Sequence, residues 1–322
     1  MISIPYPLRF VKMVKLYKLI GEKVIDEMLI AGIAIIIFLM GVNYFELEYA
    51  WVQIISNLSA ASGLSSTTVT NEISLMLAAI GQTFPFNYLF GGETNITMAI
   101  IIAVILTGMG FLFKVWTTKT REKFIEDLGH ELMIPSVIGF VTILILQIYT
   151  AMTIHGYFAA RADVLPITSN FQSGLFIWNT FGVFFITGAV ALVLGSVLLV
   201  VAKSKHVKHL VIVGRTMVMS SYFLIGYYVF IRILGLSVII ESGAGDFLKY
   251  FIISGDISNF VIILCVFMFT FGRELKRYGK YLRIRKKWLA KTGTAYPHKF
   301  SAKKRKTPKG KIKKAPKTGS FY

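Results

Sequence analysis

Six stretches of the chain, at about 27–45, 94–113, 134–158, 174–202, 212–236 and 257–272, are mostly apolar. A helix crosses a hydrocarbon core about 30 Å thick with about 20 such residues, because each adds about 1.5 Å. The composition agrees: of 322 residues 55% are hydrophobic and 16% charged, where a soluble domain carries roughly 25% charged. These values exclude an ordinary soluble enzyme and an acidic disordered chain. The expected fold is all-α, a polytopic six-helix transmembrane bundle. The first stretch lies too deep in the chain, and lacks the small-residue cleavage site, for a simple signal peptide.

Orientation follows from where Lys and Arg fall. Residues 273–322 hold 19 Lys/Arg and one acid, Glu274, whereas the preceding 272 residues hold 16 Lys/Arg against 15 Asp/Glu. The formal charge of +19 therefore belongs almost wholly to one C-terminal tail. Within the body the basic residues alternate between loops. Arg9, Lys12, Lys15, Lys18 and Lys23 precede the first span. Lys114, Lys119, Arg121 and Lys123 follow the second, and Lys203, Lys205, Lys208 and Arg215 follow the fourth. Residues 42–93 contain no Lys or Arg. Six spans with both termini cytoplasmic, in the cell membrane, satisfy this alternation.

Three parts are expected. Residues 1–23 form a cytoplasmic interfacial helix, with Phe10, Met13, Val14, Tyr17 and Ile20 at helical spacing opposite Lys12 and Lys15. Residues 24–272 form the six-span domain, and 273–322 the basic cytoplasmic tail. Within the domain, the external segment at about 46–93 reads as two short helices. Trp51, Ile54, Ile55 and Leu58 line one; Ile73, Met76, Leu77 and Ile80 line the other; Ser62-Gly-Leu-Ser-Ser-Thr-Thr separates them. An external cap and a re-entrant hairpin both fit. Asn57 and Asn95 each begin an N-x-S/T sequon on the predicted outside.

Proton- or sodium-coupled transporters keep charged residues near the midplane. The interiors of spans two, three, four and six hold none, and Arg232 lies near the outer end of span five. Gln147, Thr150, Asn179, Thr180, Ser220 and Ser221 are uncharged and suit hydrogen bonds between helices. Gly188, Ala191 and Gly195 form a small-residue stripe expected to pack closely against another helix, within the chain or between copies.

Several strings imitate catalytic motifs. Gly243-Ala-Gly-Asp246 is similar to the G-x-G-D of intramembrane aspartyl proteases, whose chemistry needs two aspartates sharing a proton. Asp163 is the available partner, and an exposed turn is the preferred reading. His130-Glu-Leu-Met-Ile-Pro135 resembles the phosphoacceptor box of sensor histidine kinases over six residues, with no ATP-binding domain following. The preferred reading is a cytoplasmic amphipathic helix through Phe124, Ile125, Leu128 and Leu132 that ends at the proline. His206 and His209 lack carboxylate or thiol companions, and the lone Cys265 supports neither a disulfide nor a cysteine-based metal site. No catalytic residue, metal or cofactor is assigned, and an enzyme is not expected.

The tail continues span six as a basic helix over about 273–291, with Leu275, Tyr278, Leu282 and Leu289 on one side, and then becomes a Lys-dense disordered segment. Its polyanion-binding residues are expected to be Arg283, Arg285, Lys286, Lys287, Lys303, Lys304, Arg305, Lys306, Lys309, Lys311, Lys313 and Lys314. Anionic membrane lipid is one partner; nucleic acid or a ribosome is the other, through counterion release. The charge exceeds what topology requires, which favours a non-enzymatic subunit of a macromolecular translocation apparatus. DNA-transfer channel subunits of type IV secretion and archaeal DNA import resemble this organisation at the level of fold. Such a subunit implies other membrane subunits, a separate ATPase and a candidate homo-oligomer. A small-solute permease subunit and a membrane assembly scaffold remain the alternatives.

Overall fold

The computed structural model describes residues 21, 23–39, 48–79, 93–118, 120–159, 173–205, 207–240, 249–252 and 259–292. All regular structure among them is helical: α1 (23–39), α2 (Glu48–Ser62), α3 (Ser66–Ala79), α4 (Glu93–Thr117), α5 (Arg121–Ala159), α6 (Ser173–Ser204), α7 (Lys208–Ile240) and α8 (Asn259–Thr292), with a further helical turn at 249–252. Residues 1–20 and 293–322, hence nearly all of the predicted interfacial helix and the distal tail, lie outside the described residues.

Among the described residues four helices are long and apolar enough to cross a membrane: Met98–Val115, Arg121–Phe158, Thr180–Ser204 and Lys208–Leu234. Their outward faces remain apolar. Ile102, Val104 and Leu112 on α4, and Val193, Val197 and Val200 on α6, are each at least half exposed, an arrangement that suits lipid. The described parts of the other two predicted spans are α1 and the first 14 residues of α8, before Arg273; neither is among these four.

Helices pair antiparallel through glycine. Gly188 and Gly195 of α6 lie against Ser221, Ile225, Gly214 and Met217 of α7. Gly32 of α1 meets Ala103 and Thr107 of α4, and Gly110 of α4 meets Leu29 of α1. Gly129 and Gly139 of α5 meet Gly272 and Cys265 of α8, and Gly279 of α8 meets Glu126 of α5. Across α7 and α8, Arg215 approaches Glu274, Ser220 hydrogen-bonds Thr270 at 2.6 Å, and Phe223 packs edge-on against Phe269. Residue order reverses along each pair, so α5 and α7 share one direction and α8 runs against both; α1 runs with α5, since Asp26 shares Lys114 with Glu131 and Ile37 packs on Gly139.

The helix does not end at Pro135. α5 runs unbroken from Arg121 to Ala159 through the proline, a length of about 58 Å. Proline removes one N–H donor, but α8 grips α5 on both sides of it, at Gly129 and at Gly139. Apolar surroundings offer no water to satisfy a broken backbone, so the helix continues.

The predicted pair of short helices is α2 and α3. Gly63 ends α2 in the left-handed region (φ 72°), where glycine carries no Cβ penalty. Its N–H donates to Ser59 O at 2.9 Å. Ser65 caps α3 by accepting from the Thr68 N–H at 3.3 Å. Ile54, Leu58, Ala61, Val69, Ile73 and Met76 join one buried cluster with Ile154, Phe158, Ile177, Phe181 and Ile231. Asn57 is buried in α2, which disfavours it as a glycan acceptor. Of the uncharged polar residues, Thr150 and Ser221 bond to backbone carbonyls of their own helices, while Asn259 donates to Thr180 O at 2.5 Å across α8 and α6.

Candidate functional site

Ionisable side chains collect at one end of the bundle, where α1, α4, α5, α7 and α8 all change from apolar to charged. Two assemblies stand there.

The first surrounds Lys114. Sequence position made it a loop residue, but it lies within α4, its side chain 4% exposed. Its ammonium donates to Asp26 at the start of α1 and to Glu131 of α5, and lies 4.0 Å from Asp127. Asp127 and Glu131 are one helical turn apart, so they share a face of α5. Glu131 is as buried as the lysine, at 3%, whereas Asp26 and Asp127 keep 40% and 31% of their surface. Solvent thus reaches the outer carboxylates and stops before the inner one. Glu131 Oε1 takes the lysine; its Oε2 is buried with no hydrogen-bond partner among the described residues. A buried charge is tolerated when paired, which explains why this lysine sits in a mostly apolar helix. The available sequence signal was its setting, Phe111-Leu-Phe113 before and Val115-Trp116 after: an apolar run that does not stop at the lysine.

The second assembly is the basic half of α8. At the crossing with α5 the backbones nearly touch. A Cβ on Gly129 would overlap the Lys276 backbone nitrogen and lie 2.5 Å from Gly272 O. A small core of Ile212, Tyr278 and Tyr281, with Ile125, Leu275 and Leu282 around it, ties α8 to α5 and α7 there. Acids on α5 neutralise the adjoining edge of α8: Arg283 bonds Glu126 at 3.0 Å and Lys286 lies 3.5 Å from Glu122. Glu274, 1% exposed, is held by Arg277 at 2.8 Å and faces Arg215 at 3.9 Å. Lys280, Lys287 and Lys291, at i, i+7 and i+11, form an exposed line on another part of the helix. None of the three has an ion pair among the described residues. The line covers about 16 Å of helix.

Of the predicted polyanion-binding residues, Arg283, Arg285, Lys286 and Lys287 fall on this helix; Arg283 and Lys286 are committed to α5. Lys303, Lys304, Arg305, Lys306, Lys309, Lys311, Lys313 and Lys314 lie outside the described residues, as do Asp163, His206 and the Gly243–Asp246 string. Gly188 and Gly195 meet α7 within the chain, and Ala191 beside them is buried. His130 is exposed on α5 and His209 on α7. No group of three His, Cys, Asp or Glu able to hold a metal occurs among the described residues. No family model, curated protein or solved structure matches the chain.

Proposed function

We propose that this chain is a non-enzymatic membrane subunit of a macromolecular translocation apparatus, with six spans, both termini cytoplasmic in the cell membrane, and a basic extension that engages a polyanion, DNA ahead of ribosomal RNA. The supporting observation is the continuity of α8, which passes without a break from an apolar half into a 20-residue basic half. α5 braces that basic half. The antiparallel course of α8 beside α5, and of α1 beside α4, supports the six-span count.

A tethered floppy polycation serves for lipid binding. A braced helix that carries, away from the apolar layer, a lysine line with no ion pair among the described residues suits a soluble polyanion better. Residues 273–291 rise about 27 Å along the helix axis, against a screening length of about 8 Å at physiological ionic strength. Headgroups are within reach of Arg273 and Lys276, while Lys287 and Lys291 extend to where only a soluble partner meets them.

Photo-crosslinkers replacing Arg273, Lys280 and Lys291 in cells test this reading. Salt-sensitive crosslinks to nucleic acid are expected, with lipid adducts confined to positions near Arg273. Lipid adducts alone at all positions would overturn it. Retained activity after deletion of residues 290–322 would instead favour a small-solute permease subunit working with a separate ATPase.

A further inference from the structure

We infer that the Asp26–Lys114–Asp127–Glu131 cluster is a proton-binding site, with Glu131 Oε2 the atom that takes the proton. Three carboxylates face one ammonium, so the fully ionised cluster carries two negative charges in excess, and its innermost member is the one shielded from water. Lys114 occupies Oε1 of Glu131, and Oε2 is a buried acceptor with no donor among the described residues. A buried polar atom is expensive while unsatisfied, and a proton on Oε2 removes one of the excess charges. Metal binding is a poorer solution, since the ammonium already fills the centre.

The geometry supplies an entry route. Asp26 and Asp127, both part-exposed, flank the lysine on the solvent side. A proton passes from water to Glu131 by way of Asp26, whose carboxyl lies within hydrogen-bond reach of it, and no covalent bond other than the transferred O–H is made or broken. Among the described residues the other charged groups around the cluster are few. α1 brings the exposed Lys23–Glu27 pair, at 3.8 Å. α5 adds Lys123, one turn before Asp127, and the exposed His130. α8 meets α5 at Gly129, on a different face from Asp127 and Glu131, with Arg273 and Lys276 beside that crossing. α4 contributes Lys114. The site therefore joins three helices, and its charge changes by one when the proton binds. It is independent of the polyanion reading.

Infrared difference titration of the full-length protein in lipid vesicles tests this, following the C=O stretch of a protonated carboxyl. The wild type should show a buried-carboxyl band that appears on acidification, and Glu131→Gln should lose it. A wild-type spectrum without a titrating band, or an unchanged band in Glu131→Gln, would overturn the inference. Should Glu131→Gln not fold, Asp26→Asn decides: its band must titrate at a different pH from the wild type, and an unshifted midpoint places the proton elsewhere. A band that follows sodium concentration at fixed pH equally overturns the proton assignment.

Discussion

The α6·α7 and α5·α8 pairs use the same device in opposite surroundings. Both are antiparallel and both bring backbones together at glycine. In α6·α7 the contact lies within apolar spans, around Gly188, Gly195 and Gly214, and the two helices are close in sequence, one ending at Ser204 and the next starting at Lys208. In α5·α8 the closest contact, Gly129 on Gly272 and Lys276, sits where both helices have turned charged, and the pair continues to Glu122 and Lys286. Between apolar spans, small residues supply packing where the hydrophobic effect cannot. At the charged end the same close approach fixes a cationic helix that charge alone would leave splayed.

The largest expected effect lies beside this second pair, at Lys114. Replacing it with Met leaves Glu131 buried without its counter-ion, and about 3–5 kcal/mol of stability should be lost. Thermal unfolding in detergent measures this, with Lys114→Arg expected to recover part of the loss. An unchanged melting temperature would show that the cluster contributes nothing to holding α1 and α4 against α5.

Next comes Gly129→Ala. Its methyl meets backbone rather than side chain, which cannot rotate away, and a loss of about 3 kcal/mol is expected. Spin-label distances between positions 122 and 286 should lengthen. Gly195→Ala is milder. Its Cβ would lie 2.9 Å from Gly214 O, Met217 Cβ and Val218 Cγ2, and the gain in helix propensity offsets part of the strain; about 1 kcal/mol is expected. Equal costs at the two glycines would erase the distinction between the pairs.

Two smaller effects bracket the comparison. Glu126→Ala breaks a half-exposed ion pair with Arg283, and costs under about 1 kcal/mol while loosening the end of α8 in hydrogen exchange. Gly226→Ala, on α7 with no atom of the described residues within 4 Å of the added carbon, should be neutral or stabilising by up to about 1 kcal/mol. A loss there would reveal a neighbour beyond the described residues, such as a second copy packed on α7.

Much of the architecture was legible residue by residue. The spacing of Ile54, Leu58, Ile73 and Met76, with the Gly/Ser/Thr break between, marks α2 and α3 because local turn chemistry and helical period act over a few residues. The apolar runs of α4 to α7 announce themselves in the same way. Pro135 misleads for the reverse reason: its local preference is outweighed by α8 gripping both sides. The pairing of Gly129 with Gly272 was illegible, since a glycine carries no mark of what approaches it.

Sequence by itself determined where the chain is apolar, where its charge lies and which segments coil, because these depend on composition and short-range periodicity. Tertiary structure alone decided which charges meet. Asp26, Lys114 and Glu131 come from three helices, two of the three separated by 88 positions. A lysine read one-dimensionally as a loop cation becomes a buried centre only when α1 and α5 close around α4. Burial and counter-charge are properties of space, and no local run of residues encodes them.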